Sequence, residues 1–225
     1  SMSTYDGNKL EKCSQGAFKA TKCSRWAELT DSLRFHATVA EKLGAPTEFR
    51  FLNGSYPIVV GIGDGGEAYG RLMAQLAVSP GGMTPLCGHI REIVHHIRTI
   101  APSLQHHQQR AVVVIASDGE ASDGDVAAEL RHLVGLPVWV VIRLCTDDEK
   151  IVSYWNNIDQ ELELEMDVLD DFFGEAKEVS SVNSWVTYGE PLHKLREWGV
   201  HMKEMDFIDE QRLSPEMARS MCAAM

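Results

Sequence analysis

The chain has 225 residues, 24% of them charged, and a formal charge of -12, a length and balance that suit one sizeable hydrophobic core. The acidic excess has no compensating Lys/Arg cluster, which argues against nucleic acid as a partner, because binders of phosphate backbones present a basic face. No run approaches the roughly 20 apolar residues of a membrane helix, and the opening SMSTYDGNKLEKC lacks the apolar centre of a secretory signal, so a soluble, cytoplasmic protein without a membrane partner is expected.

The first two dozen residues are polar and carry no strand-like run. Helical spacing begins near Ser24: Trp26, Leu29, Leu33, His36, Ala37 and Ala40 recur at three- and four-residue steps, and Gly44 before Pro46 gives the stop. TEFRFLN and YPIVVGI read as strands, and Glu67 to Val78 as a short helix. Thr84 before Pro85 is a capping signal, opening a helix from Pro85 to Ile100 whose stripe is Ile90, Ile93, Val94, Ile97 and Ile100.

AVVVIA and VWVVIRL are β-branched runs without alternation, the pattern of parallel strands covered on both faces. Val126 to Leu133 reads as a helix between them. Thr146 and Glu149 form a capping-box pattern for a helix through Ile158, followed by a strand in MDVLDD and a helix in FFGEAKEV. Strands alternating with helices give an α/β class with a mostly parallel sheet. The pattern changes after residue 182, so residues 1–182 are taken as the main domain and 183–225 as a C-terminal helical extension, with helices in GEPLHKLREWGV and LSPEMARSMC.

The densest chemistry lies in SDGEASDGD, residues 117–125. A calcium loop starting at Asp118 would need glycine where Asp123 stands, and a strand rather than a helix precedes it. A catalytic pair of Asp118 and Glu120 would need opposed environments. Asp123 and Asp125 read as acids opening the helix at Val126. Asp118 stands apart because it follows the end of a buried strand, where parallel sheets place ligands.

Thr84, behind two glycines, has a similar profile. His89, Glu92 and His96 lie near one side of a helix away from its apolar stripe, which reads as a solvated face. Cys145, just past a buried strand, offers a nucleophile or a small core residue. The five scattered cysteines do not form a disulfide framework and point to a reducing compartment.

Taken together, GGMTPL ahead of a long helix and a buried strand ending in ASDGEASD resemble the von Willebrand factor A domain. The resemblance implies a doubly wound, mostly parallel sheet with helices on both faces and a metal-ion-dependent adhesion site at its edge. Thr84 matches the family's threonine loop and Asp118 its later aspartate.

The family's Asp-x-Ser-x-Ser motif is absent, and the opening Ser1-Met2 matches only its tail, with Ser1 as the last ligating serine. On that reading the first, central strand and part of the site belong to residues upstream, and a continuous central sheet built from these residues alone would overturn it. The implied ion is Mg2+, or Mn2+ or Ca2+, held by Ser1, Thr84 and Asp118, with Glu120 and Asp123 holding outer waters. The implied function is binding of another protein through an acidic side chain, not catalysis. A metal-free scaffold with a degenerate site, or a metal-dependent hydrolase using Asp118, are the alternatives.

Overall fold

The polar opening, expected to lack strands, folds into an antiparallel hairpin of β1 (Gly7–Lys12) and β2 (Phe18–Cys23). Only Gly7 and Cys23, at its base, are buried, so no apolar alternation marks it in the sequence. The structure is a computed structural model that describes residues 1–12, 18–54, 56–146, 148–201, 205, 207–209 and 211–224.

α1 (Arg25–Leu43) starts where the Ser24 hydroxyl accepts the Ala27 N–H at 3.2 Å and stops at Gly44, which takes a left-handed φ of 59°. Short strands β3 (Thr47–Phe49) and β4 (Ile58–Val60) pair antiparallel, and α2 (Glu67–Leu76) packs on them. Ala37, Ala40, Phe49, Val60 and Leu72 are central to this core. α3 (Leu86–His106) runs past the expected stop at Ile100, because its buried stripe continues to Ala101.

β5 (Ala111–Ser117), α4 (Val126–Leu130) with a 3-10 turn to Leu133, β6 (Val138–Leu144), α5 (Glu149–Glu161) and β7 (Met166–Leu169) follow. α6 (Phe172–Val182), α7 (Glu190–Glu197) and α8 (Pro215–Ala224) complete the described elements. The chain is therefore mixed α/β. The capping box expected at Thr146 shifts by two residues: Asp148 takes the Lys150 N–H at 3.0 Å, while Thr146 accepts the Asp148 N–H.

β5, β6 and β7 form a three-stranded parallel sheet in that order, with Val113 opposite Val140 and Val140 opposite Met166. Side chains alternate between its faces. Val113, Ile115, Val140, Ile142 and Met166 face α3, α4 and α5 in the largest core. The opposite face carries Trp139, Val141 and Leu169, and on it α1 and α7 meet Arg143.

β6 is buried throughout, as its sequence suggested, but β5 is not. The bonds Ala111 N–H to Pro137 and Cys145 N–H to Ser117 fix the register, so the N–H and C=O groups of Val112, Val114 and Ala116 point away from β6. Among the described residues no strand pairs with that edge. Val112 and Val114 are 45% and 39% exposed, which corrects the expectation of cover on both faces. At its start β5 is touched by Gly199, whose left-handed backbone passes Val112 too closely for any side chain. The described strands thus form three separate sheets rather than one continuous sheet, and the core under β3 and β4 stays distinct from the core under β5 to β7.

Arg143 is the one charge in the apolar run of β6 and is 3% exposed. It donates to Glu28 of α1, to Glu197 of α7 at 2.9 Å and to the Leu144 carbonyl at 2.6 Å. Lys194 of α7 adds a bond to Asp31 of α1 at 2.6 Å. The stretch after residue 183 is tied to the earlier part by these bonds. No described helix is long and apolar enough to cross a membrane.

Removing one side of a buried ion pair leaves an uncompensated charge, so Arg143→Ala is expected to lower the unfolding free energy by about 3–5 kcal/mol in urea titrations. Arg143→Met combined with Glu28→Gln and Glu197→Gln recovers most of it. In native hydrogen exchange, the Val112, Val114 and Ala116 amides should exchange faster than those of Val113 and Ile115.

Candidate functional site at the carboxyl end of the parallel sheet

At the end of β5 the chain turns on Ser117, whose hydroxyl donates to the Gly119 carbonyl at 2.8 Å and accepts the Gly119 N–H at 3.3 Å. That turn carries Asp118, whose side chain keeps 12% of its exposure. Asp118 Oδ2 lies 3.5 Å from a guanidinium nitrogen of Arg25, the first residue of α1. Arg25 is gripped more closely by Asp6, through Nε at 2.8 Å and a terminal nitrogen at 2.6 Å.

Ser1 lies exposed beside the same helix end: its carbonyl accepts the Thr4 N–H, and the Met2 and Thr4 carbonyls accept the N–H groups of Trp26 and Arg25. These four residues therefore close over the start of α1. Arg25 connects that segment to Asp118.

Thr84 reaches the other side of the Asp118 loop. Its N–H donates to the Ser122 hydroxyl at 3.1 Å, and its carbonyl accepts the Ser122 N–H at 2.8 Å. The Thr84 loop and the Asp118 loop are thus stitched together at the carboxyl end of the sheet. Among the described residues, no direct bond joins the hydroxyls of Ser1 or Thr84 to Asp118.

Asp123 does something other than open the helix at Val126. Its carboxylate accepts the N–H groups of Cys87 and Gly88 at 3.0 and 2.8 Å, capping α3 across the loop. Desolvation opposes its ionisation, but these N–H donors outweigh it and hold the carboxyl below the usual range. Thr84 is therefore not the side chain that caps α3. Asp125 does cap α4, accepting the Ala128 N–H at 3.2 Å. Glu120 is exposed.

The rival sites disperse. His89 bonds the Leu52 carbonyl at 3.1 Å, Glu92 pairs with Arg50 at 2.6 Å and His96 is exposed, so the three do not converge. Cys145 is buried, and that burial pushes its thiol up to about 11, which withholds the thiolate a nucleophile needs. Cys23, Cys87 and Cys145 are free thiols.

A second polar centre had no clear signal in the sequence. Arg196 of α7, 3% exposed, faces Glu175 at 2.8 Å, Asp209 at 3.4 Å and Asp167 at 3.5 Å. Glu175, Glu178 and Asp209 place carboxylate oxygens within 4.8 Å of one another. One guanidinium among several carboxylates cannot neutralise all of them. Burial, with Asp209 adding repulsion, pushes Glu175 up to about 8 against the pull of Arg196.

A carboxyl raised on folding binds its proton more tightly in the folded state. As pH rises from the ordinary value of 4.5 to about 8, the parent chain should lose stability relative to Glu175→Gln. Urea midpoints of the two proteins at the ends of that range check this; a constant difference contradicts it.

Compared with known proteins, the chain matches no family model, no curated protein and no solved structure.

Proposed function

We propose that the chain is a protein-binding module of the von Willebrand factor A type, with a doubly wound sheet, that takes an acidic side chain of a partner protein through a divalent cation at the carboxyl end of β5. The observation that carries this reading is the double bond pair between Thr84 and Ser122, which sets a hydroxyl-bearing loop beside the Asp118 loop. The donors suit a hard ion: the Asp118 carboxylate and the hydroxyls of Thr84 and Ser1 are all oxygen, the set that Mg2+ prefers. With a single protein carboxylate, a bound ion keeps positive charge for a partner's acid. That charge is the chemistry the cation supplies; this chain orients Asp118 through the Ser117 turn and positions Thr84 through Ser122.

Arg25 favours a second reading, the metal-free scaffold. Its 3.5 Å approach to Asp118 already brings positive charge to the carboxylate. That distance exceeds the ~2.7–2.9 Å of a direct charge-assisted bond, so the neutralisation is loose and Asp118 stays available to a stronger cation. The free thiols suit a reducing, intracellular setting. A hydrolytic role has less support, because the loops offer no base positioned beside Asp118.

Water-proton relaxation with Mn2+ tests the reading. The parent chain is expected to bind Mn2+, and Asp118→Ala to bind about tenfold or more weakly. A blocked Gly-Asp-Gly peptide should then displace ion-bound water from the parent complex, whereas Gly-Asn-Gly should not. Equal Mn2+ affinity in parent and Asp118→Ala removes Asp118 from the site, and no binding in the parent leaves the metal-free scaffold.

A further inference from the structure

We propose that Arg25 is a built-in competitor for the divalent cation: held by Asp6 at the base of the β1–β2 hairpin, its guanidinium covers Asp118 in the ion-free chain and withdraws onto Asp6 when an ion binds. The proposal rests on the reading of Asp118 as a cation ligand. Three observations place the parts. Arg25 uses Nε and one terminal nitrogen as a fork on both oxygens of Asp6, at 2.8 and 2.6 Å, and extends its remaining nitrogen to Asp118 at 3.5 Å. The two contacts are therefore unequal. Releasing Asp118 gives up the longer one and leaves the fork intact, so the guanidinium keeps a counter-ion throughout.

Asp6 is itself anchored. Its carbonyl accepts Lys22 Nζ from β2 at 3.1 Å, and the Asn8 N–H just beyond it donates to Glu28 of α1 at 2.7 Å. Arg25 is only 14% exposed, which confines its guanidinium between the two carboxylates. The hydrogen bond from Arg25 also holds the Asp6 carboxyl below its usual range, so Asp6 remains a charged acceptor. The hairpin thereby acquires a role: it sets how much of the Arg25 charge falls on Asp118, and so the affinity of the end of β5 for a cation.

The mechanism predicts shifts of opposite sign from two neighbouring substitutions. Free Mn2+ is read by electron paramagnetic resonance in titrations of the full chain, Arg25→Gln, Asp6→Asn and Asp118→Ala, each checked for a parent-like circular dichroism spectrum. Removing the competitor should tighten Mn2+ binding by about two- to fivefold, the effect of losing one long charge contact. Removing its tether leaves Asp118 as the guanidinium's main counter-ion, so Asp6→Asn should weaken binding by about two- to fivefold.

Parent-like affinity in both variants, with loss in Asp118→Ala, overturns the competitor while leaving the cation site in place. Shifts of the same sign in both variants also overturn it, because they report a general change in the loops. Absence of Mn2+ binding in every chain, Arg25→Gln included, overturns the competitor and the cation site together.

Discussion

A buried guanidinium in the middle of a parallel strand organises much of this molecule. Arg143 lies in β6 among residues that are otherwise apolar, and desolvating its charge is costly unless carboxylates come with it. Two do, from different helices: Glu28 on α1 and Glu197 on α7. Burial alone would raise the Glu197 carboxyl, yet the His193 imidazole 3.4 Å away and the Arg143 guanidinium hold it well below the ordinary range. Glu28 also accepts the Asn8 N–H, so the same cluster seats the β1–β2 hairpin. One strand, two helices and a hairpin are thus positioned by one cation and its partners. The start of α1 then brings Arg25 to Asp118.

The two faces of the sheet are held by different physics. Toward α3, α4 and α5 the contact is a large apolar core of residues that carry no titratable carboxylate or base. Toward α1 and α7 it combines a small apolar cluster with the networks of Arg143 and Arg196, whose strength depends on protonation. The parallel sheet also ends unusually. β5 has the β-branched composition of an interior strand, but no described strand pairs with its outer backbone groups, and the strand itself carries no charged or proline residue. That edge and the cation-binding end proposed here meet at the carboxyl end of the same strand.

Much of the element order was legible because it depends on local spacing. The helix over Arg25–Leu43 followed from three- and four-residue steps closed by Gly44, and β6 from an apolar run interrupted by Arg143 alone. The β1–β2 hairpin was not legible, since an exposed ribbon buries almost nothing and leaves no periodicity. Asp123 was assigned to the nearer helix in the chain, although its carboxylate caps α3, which begins more than thirty positions earlier. Chain distance misled there, because a carboxylate caps whichever N–H groups the fold brings to it. Arg143 was visible as the lone charge in VWVVIRL, and that was the available signal for the buried network.

By itself, the sequence determined the α/β alternation, the identity of the parallel strands and the choice of Asp118 just past β5 and Thr84 just before α3 as notable polar residues, because periodicity and turn chemistry are local properties of the chain. Only the tertiary structure decided which loops meet, that Ser122 joins Thr84 to the Asp118 loop, that Arg25 faces Asp118, and that no described strand pairs with the outer edge of β5. Those outcomes depend on charges and backbone groups brought together from distant positions, and their pairing energy exists only once the fold has placed them within reach.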